Sequence, residues 1–170
     1  NYAGNYITTT RFAEDNKLSK SQAKEKLKQT LKAKSVAILE PDEEVLAHSD
    51  GMVMWLNEKT LLVNQYTDKA FRKLVLDELH ASFPDVKIIE VPVEYGKNKK
   101  GEWEGFESAC GVNLNSVLTF KNIYVPVFGM NHDAEAIKII KQNTSKNVIE
   151  VEAKGVCPMG GSVRCLTWQL

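Results

Sequence analysis

The chain has 170 residues, which fits one domain or a large piece of one. Apolar residues make up 43% and charged residues 26%, the proportions of an ordinary globular protein rather than a disordered or fibrous one. Lys plus Arg and Asp plus Glu both number 22, so no net charge draws the chain to DNA, RNA or an acidic membrane, and no apolar run is long enough to span a bilayer.

The first residue is Asn1, which reads as a processed terminus or an arbitrary cut and says little about location. From there the chain reads as strand, helix and strand, three times over. Asn5 to Thr10 is rich in β-formers. Asp15 sits in a polar stretch that reads as a turn. Ser19 then starts a polar helix through Leu31, and Ser19 with Gln22 has the Ser-x-x-Gln form of a capping box. Ser35 to Leu39 is the returning buried strand.

The second unit opens with Met52 to Leu56 and Thr60 to Val63, joined by a hairpin turn at Asn57-Glu58-Lys59. Asp68 caps a helix whose apolar face is Phe71, Leu74, Val75 and Leu79 at helical spacing. His80 falls late on it. Pro84 ends that stretch, and Val86 to Val91 is the next strand. The third unit repeats the plan with Ser116 to Phe120, Asn122 to Val127, a helix from about Asp133 carrying Ala136, Ile137, Ile139 and Ile140, and Val148 to Val151. His132 reads as part of that helix's first turn. Lys59 and Lys121, each followed by a strand, stand 62 positions apart, a period that implies units burying their faces on neighbours.

Two segments escape the repeat. Tyr95 to Gly105 is a polar, glycine-punctuated loop, and its charge run reads as solvated surface or as a shaper of substrate choice. Gly155 to Gly161 is a Gly/Pro/Met turn region, followed by a β-like end from Ser162 to Leu170. Cys110, Cys157 and Cys165 are an odd set without regular spacing, which argues against a disulfide framework. Cys157 and Cys165 are eight apart with no further Cys or His ligand nearby, so no structural zinc site is expected. Three unpaired cysteines lean toward a reducing, cytoplasmic compartment.

Cys165 follows the Gly160-Gly161 pair closely, and two glycines let backbone N–H groups approach a ligand. It reads either as a nucleophilic thiol or as a buried small apolar residue in a terminal strand. His48 and Asp50 stand two apart before a strand. In an extended segment they share a side and serve as acid/base and cation binder; alternatively, Ser49-Asp50-Gly51 is plain turn chemistry. The two signals reinforce each other, since a cysteine nucleophile needs a proton partner.

With these residues in hand, the sequence resembles the agmatine deiminases and the Porphyromonas-type peptidylarginine deiminases. That family has a His-x-Asp element leading into a hairpin and a late Gly-Gly-x-x-His-Cys element. Here they read Ala47-His48-Ser49-Asp50-Gly51 and Gly160-Gly161-Ser162-Val163-Arg164-Cys165. Asn115-Ser116, leading into Asn122 to Gly129, resembles the asparagine-bearing strand between them. The resemblance spans nearly the whole chain.

It implies an α/β fold, namely part of a pentein-type propeller, about three ββαβ-like units of five, with residues 1–170 as one C-terminal fragment. It implies hydrolytic deimination of a small guanidine or an arginine-containing peptide, with His48, Asp50 and Cys165 catalytic. Asp50, Asn115, Gly160 and Gly161 would bind substrate, with no metal or organic cofactor. Asp50 supplies one carboxylate beside the planar cation. The family's other catalytic Asp belongs to an early segment that residues 1–40 do not match, so the chain alone is expected to be inactive. Arg164, where the family has His, leaves substrate identity open. The rival readings are a non-catalytic remnant kept for ligand binding or association, and an amidinotransferase or dimethylarginine hydrolase; exposed unit edges are expected to pair with another chain, as in a homo-oligomer.

Overall fold

The structure is a computed structural model, and it describes residues 1, 3–98 and 107–168. The first unit is β1 (Asn5–Thr9), α1 (Thr10–Asp15), α2 (Lys20–Leu31) and β2 (Ser35–Leu39). β1 and β2 run parallel from Asn5 against Ser35 to Thr9 against Leu39. The capping box is present. The Gln22 N–H donates to Ser19 Oγ at 3.3 Å and the Ser19 N–H donates to Gln22 Oε1 at 2.8 Å. Asp15 does not lie in a turn but ends the short helix α1, which the sequence reading lacked because six residues show too little periodicity.

The second unit is β3 (Val53–Asn57), β4 (Thr60–Gln65), α3 (Lys69–Ser82) and β5 (Lys87–Pro92). The third is β6 (Val117–Leu118), β7 (Asn122–Val127), α4 (Asp133–Gln142) and β8 (Asn147–Glu152). In each, an antiparallel hairpin is extended by a parallel strand returning through the helix. The repeat holds at the level of single bonds. The Lys87 N–H donates to the Lys59 carbonyl at 2.9 Å, and the Asn147 N–H to the Lys121 carbonyl at 3.0 Å. The third hairpin's first strand is only two residues long.

The architecture is mixed α/β, in three sheets of two, three and three strands that are not hydrogen-bonded into one closed sheet among the described residues. The first unit is βαβ, lacking the hairpin of the other two. Apolar clusters fill the spaces between layers. Leu61, Val63, Val75 and Leu79 belong to one, and Leu62, Ile123, Val125 and Ile140 to the next. On α3, Val75 and Leu79 are buried, but Leu74 is 49% exposed, so the inward face is narrower than the spacing suggested. Glu78 ties the first unit to α3. It accepts from Lys24 Nζ at 2.6 Å and from the Ile38 N–H at 3.1 Å, with Lys20 Nζ 3.2 Å away. Burial works against its ionisation, yet these donors hold its carboxyl below the ordinary value.

Two expectations fail in the loops. Cys110 and Cys157 form a disulfide, leaving Cys165 as the free thiol. A separation of 47 residues hides a proximity set by the third unit's packing, where the Ala109 N–H donates to the Cys157 carbonyl at 2.9 Å. The argument from three unpaired cysteines to a reducing compartment therefore loses its premise. Residues 162–168 of the expected β-like end are not a strand: 163–166 turn and Cys165 is exposed, while positions 169 and 170 lie outside the described residues. Of the polar loop, residues 95–98 are described, and 99–106 lie outside. No helix among the described residues is long and apolar enough to cross a membrane.

Candidate active site

The connections leaving β2 and β5, the segment before β6 and the turn at the chain's end meet at one recess of about 60 Å³. His48, Asp50, Asn115, Gly160 and Cys165 all line it. Space of that size holds a small planar group, not a folded segment.

His48 and Asp50 reach it from a turn, not from an extended run. The N–H groups of Met52 and Val53 both donate to the Ser49 carbonyl at 3.1 Å. The turn keeps the two side chains together, with His48 Nδ1 4.0 Å from Asp50 Oδ1. The turn reading of Ser49-Asp50-Gly51 holds, the extended run does not, and the turn is what aims the two side chains at the recess. Upstream, the Glu43 carboxylate accepts from the N–H groups of Val45, Leu46 and Ala47, which shapes the approach to His48.

Cys165 sits on the last turn. Asn115, 3% exposed, holds that turn in place. The Asn115 carbonyl accepts from the Arg164 N–H at 3.1 Å. Its side-chain Oδ1 accepts from the Ser162 N–H at 3.2 Å, Ser162 Oγ at 3.0 Å and the Cys165 N–H at 3.4 Å. Its Nδ2 donates to Cys165 Sγ at 3.3 Å and to Asp50 Oδ2 at 3.4 Å. Sγ in turn lies 3.9 Å from Asp50 Oδ2. A thiol, a carboxylate, an amide and an imidazole thus face one small space.

The glycines act separately. Gly160 has φ +85°, a left-handed conformation that favours glycine and that lets the chain leave the 3₁₀ turn Cys157–Met159 toward Cys165. Gly161 does not line the recess. It lies behind Cys165, where a Cβ would stand 2.8 Å from Cys165 Cβ and 3.1 Å from Sγ.

Asp42, Glu43 and Glu107 in the lining were not singled out from the sequence, whereas Tyr95 opens the polar loop read there as a shaper of substrate choice. Asp42, Glu43, Tyr95 and Glu107 share the wall. Asp42 Oδ2 accepts from the phenols of Tyr66 and Tyr95, the first at 2.7 Å. Burial pushes the Asp42 carboxyl up despite those two donors, and burial followed by the Asp42 charge pushes both phenols up. Burial also raises the Glu107 carboxyl, helped by repulsion from Glu43, Asp42 and Glu44. The signal was the acidic run Glu40-Pro41-Asp42-Glu43-Glu44. The wall is acidic, and the chemistry it suits is that of a cation.

His80 and His132 stay apart from this centre. His80 is exposed on α3. His132 Nε2 is 2.9 Å from the Gly111 carbonyl at the head of α4, where it fixes a connection. No group of three or more His, Cys, Asp or Glu side chains among the described residues is arranged to hold a metal ion.

The sequence model of the Porphyromonas-type peptidyl-arginine deiminase family matches residues 1–170. No curated protein sequence shows a significant match. Among solved structures, a protein provisionally assigned as a peptidyl-arginine deiminase superposes with TM-score 0.81 at 22% identity, over 99% of this chain and 54% of that one. The agmatine deiminase of C. jejuni gives 0.75 at 20%, over 95% and 50%. That of Enterococcus faecalis gives 0.74 at 17%, over 93% and 51%. The chain spans about half the length of the solved structures it matches.

Proposed function

We propose, from the premise that this chain belongs to the Porphyromonas-type peptidyl-arginine deiminase family, that the recess at Cys165 hydrolyses a guanidinium group to a ureido group and ammonia. One observation carries the reading: a single amide, Asn115 Nδ2, lies 3.3 Å from the thiol sulfur and 3.4 Å from the Asp50 carboxylate, with His48 beside that carboxylate.

The chemistry follows from the groups. Asp50 accepts hydrogen bonds from the guanidinium nitrogens and holds the planar cation over Sγ. The Cys165 thiolate attacks the central carbon, forming a C–S bond. The His48 imidazolium gives a proton to one nitrogen, the C–N bond breaks, and ammonia leaves. The neutral imidazole then takes a proton from water. The resulting hydroxide adds to the thiouronium carbon, the C–S bond breaks to return the thiolate, and the adduct's hydroxyl proton passes to solvent, where ammonia takes it up, as the ureido carbonyl forms. No redox change occurs. The acidic wall of Asp42, Glu43 and Glu107 favours a cationic substrate over one bearing a carboxylate near its guanidinium. Agmatine and a peptidyl-arginine both meet that condition. In this reading the three units form part of a pentein-type propeller, and the 170 residues alone are inactive or nearly so, because Asp50 stands on one side of the cation only.

The test is ammonia release from agmatine and from an arginyl peptide. It is run with this chain, with the longest natural reading frame that contains it, and with Cys165→Ala in each. Release by the longer frame that vanishes on Cys165→Ala is the expected result. Release that survives the substitution, or none from either substrate in the longer frame, overturns the reading.

A further inference from the structure

We infer that Ser162 is a positioning residue: its hydroxyl fixes the orientation of the Asn115 amide, and through it the hydrogen bond that holds the Cys165 sulfur ready to react. The inference rests on Cys165 being the nucleophile of the proposed reaction, and it adds a residue whose only contact with that reaction is through Asn115.

An asparagine amide has two orientations that differ by exchange of O and N, and its neighbours decide between them. On one side of Asn115 stand three donors: the Ser162 N–H, Ser162 Oγ and the Cys165 N–H. On the other stand two acceptors, Asp50 Oδ2 and Cys165 Sγ. The NH₂ group has two hydrogens, and the two acceptors use both. In the exchanged orientation a carbonyl oxygen would face a carboxylate and a sulfur, and the NH₂ would face donors.

Ser162 supplies the shortest of the three donor contacts, 3.0 Å from Oγ. It is 0% exposed, so no water competes for that hydroxyl. Its Oγ also lies 3.5 Å from the Asn115 backbone carbonyl, so one side chain spans both oxygens of the same residue. An N–H donor aimed at sulfur favours the thiolate over the thiol, because a hydrogen bond to an ion is stronger than one to a neutral group. Loosening the amide lets Nδ2 leave Sγ, and the adjacent Asp50 carboxylate then acts on the sulfur unopposed.

Alkylation reads the sulfur without any substrate. Cys165 is the free cysteine, so under non-reducing conditions iodoacetamide reports on it alone. The rate is followed against pH for the native chain, Ser162→Ala and Ser162→Thr, with the unfolding midpoint of each. Ser162→Ala is expected to slow alkylation at neutral pH by about 3–10-fold and to move the pH profile upward, the scale of losing one hydrogen bond between neutral groups. Ser162→Thr keeps the hydroxyl and stays near the native profile. An unchanged rate in Ser162→Ala overturns the inference. So does a slower rate with an unmoved profile, which is what a merely loosened turn would give. Deimination is measured in parallel in the longest natural reading frame that contains the chain. Ammonia release with an alkylation rate indifferent to Ser162 removes this inference and leaves the function. A Ser162-dependent alkylation without ammonia release from any guanidine does the reverse.

Discussion

Breaking the Cys110–Cys157 disulfide should cost the protein about 4 kcal/mol. The link closes a loop with a sequence separation of 47 residues. Chain-entropy arithmetic for a loop of that length gives about 4 kcal/mol of destabilisation of the unfolded state at 25 °C. For a chain of this size each kcal/mol moves the thermal midpoint by roughly 2–4 °C, so reduction should lower it by about 8–16 °C. The covalent link joins the 107–111 segment, which supplies Glu107, Ser108 and Ala109 to the recess, to the 3₁₀ turn just before Gly160. Cys157 is fully buried against Phe128 and Ala153, so substitution adds a small cavity to the entropic loss. Reduction of the native chain isolates the link itself. The assay is thermal unfolding by circular dichroism with and without a phosphine reductant, on the native chain and on Cys110→Ala/Cys157→Ala. The double variant should melt low in both conditions and be indifferent to the reductant. An unmoved native midpoint after complete reduction would refute the reasoning, as would titration of three free thiols in the denatured, unreduced chain.

Three further outcomes follow from single contacts. Gly161→Ala places a Cβ 2.8 Å from Cys165 Cβ, so Cys165 must shift; if Cys165 is the proposed nucleophile, ammonia release by the longest natural reading frame should fall by roughly 100-fold, the scale of a misplaced reacting group. For Asp133, burial opposes ionisation, but hydrogen bonds from Asn113 Nδ2 and the N–H groups of Phe128 and Met130 outweigh it and hold the carboxyl below the ordinary 3.8. Its stabilisation is complete above that ordinary value and drains as pH falls through the lower folded one; Asp133→Asn should lose about 1.5–3 kcal/mol at neutral pH and flatten the acid limb of a urea-midpoint series. Ser19→Ala removes the acceptor for the Gln22 N–H at the head of α2 and should cost about 1 kcal/mol in chemical denaturation, with no change in Cys165 alkylation.

The three-unit plan was legible in the chain because its signals are local. A capping box satisfies its own orphan donors, a hairpin turn needs only adjacent residues, and the Lys59/Lys121 spacing recurs as the same backbone bond in both units. The His48–Asp50 pair and the Gly160-Gly161-Ser162-Val163-Arg164-Cys165 element were also visible, since each is a short run. Their meeting was not. The Cys165–Asp50 approach spans 115 residues and the Asn115–Ser162 contact 47, and no periodicity encodes a distance of that kind. The disulfide escaped for the same reason, and Leu74 proved exposed because helical spacing ranks positions without saying how wide the covering layer is. Sequence alone therefore determined the strands and longer helices of the repeat, though not the short α1 or the turn that carries Cys165, through interactions between near neighbours. Only the tertiary structure decided that Asn115 clamps the thiol to the carboxylate, that Asp42 and Glu107 share its wall, and that Cys165 is the one thiol left free. Those outcomes depend on how the layers pack, and packing is a property of the whole chain.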